Sequence, residues 1–209
     1  MPLVRLVATA AVALAACDDA TPSDQDPTVY VGVLHDDDDG DQDSDVGDAS
    51  LALAVQGNEI QVYACGDSPG ESYPGWLVGT VRAGTQTALL EHDGWRLEVA
   101  WEADHARGRL VRPDGTTTRF TARPARDTVG SGLYATWSEG CMTGVIVDAA
   151  ARAAGEPLVR GTWCNAAGTR RQVTPLRPLR FVGDHLTVHV QFDDGPRRLD
   201  VAPVRLSTR

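Results

Sequence analysis

The sequence predicts an all-β protein, either an antiparallel up-and-down barrel or a β-sandwich, over residues 28–209. Three observations lead to this prediction. Apolar and polar residues alternate in short segments, turn residues such as Asp-Gly separate these segments, and no long helical segment connects them. Short strands at short intervals without crossover helices form antiparallel sheets. The segments fit one extended body or two β lobes, 28–127 and 128–209.

Fourteen segments show the alternating or apolar pattern of strands. Eight of them lie in the first half, at 28–34, 50–56, 59–65, 76–82, 86–92, 95–101, 108–112 and 117–123. Six lie in the second half, at 132–137, 141–147, 158–164, 171–176, 185–192 and 197–206. Tight turns are predicted where residues tolerate the required backbone angles, at Gly57-Asn58, Asp93-Gly94, Pro113-Asp114-Gly115 and Asp194-Gly195. The segment DAAARAAGEP (148–157) is predicted to form a helix of about two turns.

The amino terminus has the layout of a secretory signal, with Arg5 before an apolar run over 6–16 that is too short to span a bilayer. Its last residues, Leu-Ala-Ala-Cys17, resemble the lipobox of bacterial lipoproteins. That resemblance implies removal of residues 1–16, and diacylglycerol and a further acyl chain such as palmitate on Cys17. Several acyl chains anchor a protein stably to a membrane. We therefore expect a cell-envelope protein facing the periplasm or exterior; the alternative is an ordinary cleavage site with a chance cysteine.

The charge is unevenly distributed along the chain. The formal net charge is −10, and 12 aspartates lie within residues 17–48, where there is no arginine. Residues 49–209 hold 29 − 12 = 17 acids against 18 arginines, a net of +1. Residues 17–27 are therefore interpreted as a flexible polar tether. No basic stripe with interleaved aromatics is present, so nucleic acid is not an expected partner. All 19 basic residues are arginine, which excludes lysine-dependent chemistry such as Schiff bases and P-loops.

An acidic loop over 35–48 joins the first two predicted strands and raises the possibility of calcium binding. Its aspartates follow the ligand spacing of an EF-hand at Asp37, Asp39, Asp41, Asp43 and Asp48. The pattern departs from an EF-hand because Gln42 replaces the glycine of the sixth place and the twelfth residue is not glutamate. Two alternatives stay open, a solvated insertion held extended by like charges and a loop lying across the arginine-rich residues 149–209.

A Gly-x-Ser-x-Gly match centred on Ser68 raises the question of a hydrolase. The next residue is Pro69, which has no backbone N–H, although that amide forms half of the oxyanion hole in an α/β-hydrolase. His185 and His189 are the other candidates, but four residues along a strand separate them by about 13 Å. A hydrolase is therefore the weakest functional hypothesis, and we expect no catalytic residue.

The cysteine positions predict one disulfide. If 141–147 and 158–164 form a hairpin with Asp148 near Leu158, then Cys141 and Cys164 fall within one register step of each other. A bond between them leaves Cys65 as a buried thiol. A Cys65–Cys141 bond is the alternative. No Cys-x-x-Cys pair exists, so zinc is not expected.

Six segments, YVGVL, LALAVQGNEIQVYACG, WLVGTV, GRLVRPDG, FTARPA and GLYATW, resemble in order those of a group of secreted β-proteins from high-GC bacteria. The resemblance covers roughly residues 28–137. It implies an all-β module outside the cytoplasm and implies no activity. The leading hypothesis is a lipid-anchored, non-catalytic module that binds an unknown protein or small molecule or has a structural role in the envelope. Most of the five tryptophans are expected in the core, and one or two could line a ligand site.

Overall fold

The computed structural model describes residues 26–36, 49–66, 73–82, 84–128, 130–153 and 156–206. Within these residues it confirms the all-β class, with 14 antiparallel strands. In chain order they are β1 Thr28–Asp36, β2 Ala49–Gln56, β3 Glu59–Gly66, β4 Gly75–Thr80, β5 Thr87–His92, β6 Trp95–Trp101, β7 Ala106–Val111, β8 Thr117–Pro124, β9 Gly132–Ser138, β10 Cys141–Ala153, β11 Glu156–Cys164, β12 Arg170–Val182, β13 His185–Phe192 and β14 Gly195–Pro203. A single 3-10 turn, Ala125–Asp127, separates β8 from β9. No helix in the described ranges is long and apolar enough to cross a membrane.

The strands form two sheets. The first sheet has eight strands in the order β4-β3-β2-β1-β8-β7-β6-β5. Its edge strands approach each other, since Leu90 of β5 packs against Gly79 of β4, so the sheet is nearly closed. The remaining six strands form a closed barrel in the order β10-β11-β12-β13-β14-β9, which we call the second barrel. Each of the fourteen predicted segments overlaps an observed strand, and the segments at 76–82, 86–92, 108–112 and 197–206 extend one to three residues beyond theirs.

The predicted helix over 148–157 is wrong. Strand β10 continues to Ala153, with a bulge between Asp148 and Arg152 opposite β11. The buried Asp148 side chain stabilises this bulge, because its Oδ1 accepts hydrogen bonds from the N–H groups of Ala150 (2.9 Å) and Ala151 (3.0 Å). Ala151 also packs with Val33 and Leu158 in a small apolar cluster. Tertiary packing and a local side-chain cap therefore override the helix propensity of alanine.

Buried side chains fill the space enclosed by the nearly closed first sheet and the interior of the second barrel. Inward-facing residues of the first sheet form a buried apolar cluster that includes Leu51, Leu53, Ile60, Val62, Leu77, Leu97, Leu110 and Phe120. The second barrel encloses another, with Tyr134, Val145, Val147, Trp163, Val173, Leu186, Val188, Val190 and Val201. Alternation along each strand places these residues on one face and polar residues on the other. Burial of apolar area at roughly 25 cal/mol per Å² makes the two clusters the main source of stability.

A third buried cluster lies between the two sheets. It joins residues of the first sheet, among them Val31, Ala52 and Tyr63, to Leu133 and Ile146 of the second barrel. Arg160 of β11 is also buried in this region, and its Nη1 donates a hydrogen bond to Ser50 Oγ of β2 at 2.9 Å. The sheets are thus docked through both apolar and polar contacts.

Candidate functional site

A cleft of about 410 Å³ lies between the first sheet and the second barrel. The end of β3 and the start of β4 form one wall, and β10, β11 and β12 form the floor. Its lining side chains are mostly aromatic, cationic or sulfur-containing, and include Tyr63, Tyr73, Trp76, His92, Met142, Arg170 and Arg171. Sites for small molecules are commonly concave, of this volume, and lined by apolar groups with a few polar ones.

The register of strand pairing among β10, β11 and β12 determines which residues of the floor face the cleft. Gly144 is paired with Thr162, and Thr162 is paired with Gln172, so these positions share one face across three strands. The aromatic ring of Tyr63 covers Gly144, which shows that this face points toward the first sheet. Met142 lies two residues before Gly144 on the same face.

Trp137 stands beside this floor. It is directly paired with Met142 and therefore shares its face. Trp137 is 71% exposed, whereas Trp95, Trp101 and Trp163 are buried and Trp76 is partly buried. The expectation that most tryptophans lie in the core is thus confirmed, and Trp137 adds an exposed aromatic surface on the strand next to Met142, outside the residues that line the cleft.

Tyr63 and Trp76 hold the wall of the cleft against the floor. The Tyr63 hydroxyl accepts a hydrogen bond from the Thr162 N–H at 2.9 Å, and Trp76 Nε1 donates one to the Met142 carbonyl at 2.9 Å. The two rings lie 4.8 Å apart between centroids. Burial, the main cause, raises the pKa of Tyr63 well above its ordinary value, with the nearby Cys65 contributing in the same direction.

Positive charge predominates in the cleft, because its described lining residues include two arginines and no carboxylate. Arg170 is paired with Cys164, and its Nη1 donates a hydrogen bond to the Tyr73 carbonyl at 3.3 Å. His92 pairs with the exposed Asp93 at 3.4 Å, and Arg171 with the exposed Asp193 at 3.3 Å. Within the described part of the chain, Arg170 makes no ion pair.

The predicted disulfide between Cys141 and Cys164 is confirmed, with Cα atoms 5.7 Å apart, and it borders the cleft. Cys65 is buried and remains a thiol, so the alternative Cys65–Cys141 bond is absent. Since Cys141 and Cys164 lie on adjacent strands, the bond holds the floor of the cleft in place.

The structure describes only two of the other predicted site residues, His185 and His189, and neither lines the cleft. Cys17, Ser68 and the aspartates of the acidic loop, Asp37, Asp39, Asp41, Asp43 and Asp48, lie outside the described residues. His185 and His189 both lie on β13 in the second barrel. His185 contacts Asp184 at 2.8 Å and is exposed. The histidines occupy one strand, as the sequence predicts, and do not converge on one point.

Two further features were missed in the sequence. A groove of about 390 Å³ on the second barrel is lined by Arg177, Arg180, Arg198 and His189. It forms where the register between β12 and β13 shifts, between Pro175 and Arg180. No pattern in the sequence predicted this register shift. The turn after β6 brings together potential metal ligands on Glu102, Asp104 and His105 within 4.8 Å, but at solvent-exposed or partly exposed positions. Neither feature is connected with the cleft.

Comparison with models of protein families, with curated proteins and with solved structures finds no match for this chain.

Proposed function

We propose that the protein is a lipid-anchored, non-catalytic binding protein of the bacterial cell envelope, with the cleft between its two sheets as the ligand-binding surface. The observation that carries this proposal is the aromatic and cationic lining of the cleft, which contrasts with the filled interiors of both sheets. A β-protein that binds a molecule inside a barrel needs interior space. Here the open space lies outside, between the sheets.

The envelope location is supported by the amino-terminal sequence. The apolar run ending in Leu-Ala-Ala-Cys17 is typical of a lipoprotein signal. The Cys141–Cys164 disulfide fits the same location, because disulfides persist in oxidising compartments such as the periplasm.

The non-catalytic assignment is supported by the positions of the two histidine candidates relative to β3, the described strand that precedes Ser68 in the sequence. Gly66, the last described residue before Ser68, ends β3 in the first sheet. His185 and His189 lie on β13 of the other sheet, on a strand that packs around the second barrel core. A nucleophile and its base must come within hydrogen-bond distance, about 2.6–3.2 Å.

Metabolic labelling tests the anchor. The full chain is produced in a bacterial host supplied with an alkyne analogue of palmitate, alongside Cys17→Ser and Cys65→Ser variants. We expect label and membrane association in the wild type and Cys65→Ser, loss of both in Cys17→Ser, and a mature amino terminus at Cys17. An unlabelled wild-type protein that retains residues 1–16 would overturn the anchor.

A fluorophosphonate probe, which reacts with activated serines, tests the non-catalytic assignment on the same preparations. We expect no labelling of the wild type. Labelling that disappears in Ser68→Ala would establish a serine hydrolase instead.

A further inference from the structure

We propose that the cleft binds an acidic oligosaccharide, with one sugar ring lying on Trp137 beside the cleft and the carboxylate of another sugar unit paired with Arg170. This assignment rests on the proposed function and specifies the ligand of the same cleft. The two side chains lie on one continuous face of the second barrel. Trp137 is paired with Met142 on the adjacent strand, and Cys164 with Arg170 on the next pair of strands.

Arg170 supplies the site for a negative charge. Its guanidinium has five N–H donors, of which one is directed to the Tyr73 carbonyl, and it makes no ion pair within the described residues. The other two basic side chains of the cleft, His92 and Arg171, already have carboxylate partners. Because guanidinium matches the planar geometry of a carboxylate, Arg170 offers a bidentate contact to an incoming acid.

Trp137 supplies a flat apolar surface. Because Trp137 is 71% exposed on a strand face, it leaves a large apolar area in water. Sugar rings present one face of C–H groups and a perimeter of hydroxyls, so an aromatic ring can cover the apolar face while polar side chains bind the hydroxyls. Gln172, which is exposed on the same face two residues after Arg170, is positioned for the second role.

The strand pairing of the floor leaves no edge there for an added peptide strand, so that of the strands at the cleft only β4 and β5 are sheet edges within the described residues. Peptides commonly bind by adding a strand to a free sheet edge. On the floor of the cleft, β10 is paired with β9 and β11, and β11 with β10 and β12. The floor therefore recognises ligands through side chains, and the planar polar groups of Arg170 and Gln172, together with the neighbouring Trp137, suit a ring-shaped, hydroxyl-rich molecule.

Isothermal titration calorimetry with the purified full-length lipoprotein in detergent tests the assignment. The probes are a galacturonic acid trimer, the uncharged galactose trimer and tetraglutamate. We expect the acidic trimer to bind at least about fivefold more tightly than the neutral trimer, since one charge-assisted pair distinguishes them. Tetraglutamate, which has carboxylates and no sugar ring, is expected to bind more weakly than the acidic trimer.

Matched variants locate the binding. Trp137→Ala should weaken binding of both trimers by roughly 2- to 10-fold, through loss of the aromatic surface. Arg170→Gln should weaken only the acidic trimer and remove its advantage over the neutral one. Leu89→Ala and Arg180→Gln, which change an exposed apolar residue of β5 and an exposed arginine of the second groove, should leave binding unchanged.

Two results would overturn the saccharide assignment. One is equal affinity for the acidic and neutral trimers, and the other is preferential binding of tetraglutamate with the same sensitivity to Arg170→Gln. The second result leaves the cleft as a binding surface, so the ligand class fails while the proposed function stands. If the acidic trimer binds and is insensitive to Trp137→Ala and Arg170→Gln, the location in the cleft is wrong.

Discussion

The hydroxyl of Tyr63 in β3 accepts a hydrogen bond from the backbone N–H of Thr162 in β11, at 2.9 Å and across 99 residues of sequence. The same ring covers Gly144 and contacts Trp76. One side chain of the first sheet thus fixes two strands of the second barrel. It also forms part of the cleft, so the geometry of the proposed binding surface depends on this contact.

Tyr63→Phe is expected to lower the free energy of unfolding by about 1–2 kcal/mol, because the Thr162 N–H loses its partner. Chemical denaturation followed by circular dichroism measures the change. Tyr134→Phe is the matched control, since Tyr134 is also buried and its hydroxyl has no hydrogen-bond partner among the described residues. Equal effects in the two variants would contradict a specific role for the Tyr63 hydroxyl.

Gly144→Ala is expected to destabilise the protein by about 1–3 kcal/mol through overpacking. A Cβ at this position would lie 2.5 Å from Tyr63 Cε2. Combining the change with Tyr63→Ala should reduce its effect, since the obstructing ring is gone. A double-mutant cycle on unfolding free energies measures this coupling. Additive effects would show that Gly144 and Tyr63 are not in contact.

Stability should decline at alkaline pH. Burial is the main cause that raises the pKa of Tyr63, Tyr134 and Tyr30 above the ordinary tyrosine value. A phenol whose pKa is raised by folding contributes stability that is complete below the unfolded-state pKa of about 10 and is lost as the pH rises toward the folded-state pKa. Urea titrations from neutral pH upward should show a decline that is shallower in Tyr63→Phe by up to about 1.4 kcal/mol per pH unit. An unchanged slope would contradict the assignment to Tyr63.

Loss of the disulfide should be the largest effect of a single change at the floor of the cleft. Cys141→Ser is expected to lower the free energy of unfolding by about 3 kcal/mol, given the separation of 23 residues between the linked cysteines. Alkylation followed by peptide mass spectrometry provides an independent measurement. In the native protein without reductant, Cys65 should react only on unfolding, because it is buried. Rapid alkylation of Cys141 or Cys164 in the native protein would contradict the bond.

The acidic loop has its own test. We expect titration with calcium at about millimolar concentration to release no heat, because Gln42 and Asp48 depart from the residues that an EF-hand requires. The control is a variant with asparagine in place of Asp37, Asp39, Asp41, Asp43 and Asp48. Heat in the wild type that is absent from this variant would support the calcium-binding alternative.

The sequence was sufficient to predict the strands and the disulfide. In β6, the alternation of Trp95, Leu97 and Val99 with Arg96 and Glu98 identifies a strand with one buried face, as the structure confirms. The hairpin register placed Cys141 near Cys164 by local geometry alone. The bulge at Asp148 was missed, because its stability depends on a buried carboxylate and on packing that a local pattern does not contain.

The cleft was beyond prediction for a related reason. Tyr63 and Thr162 meet only because the two sheets dock, and no periodicity within either segment encodes that docking. The exposure of Trp137 was equally hidden. Trp137 lies on the same outward face of β9 as Leu133. Leu133 is buried because it packs in the cluster between the two sheets, whereas Trp137 is not covered in this way and is exposed.

The packed interiors have a consequence for exchange with solvent. A ligand enclosed within a barrel can dissociate only after strands or loops open. A molecule held between the two sheets faces water along one side, so its release requires only that its contacts break. We therefore expect rapid loading and unloading, as in a receptor that samples its surroundings, rather than the slow turnover of a storage protein.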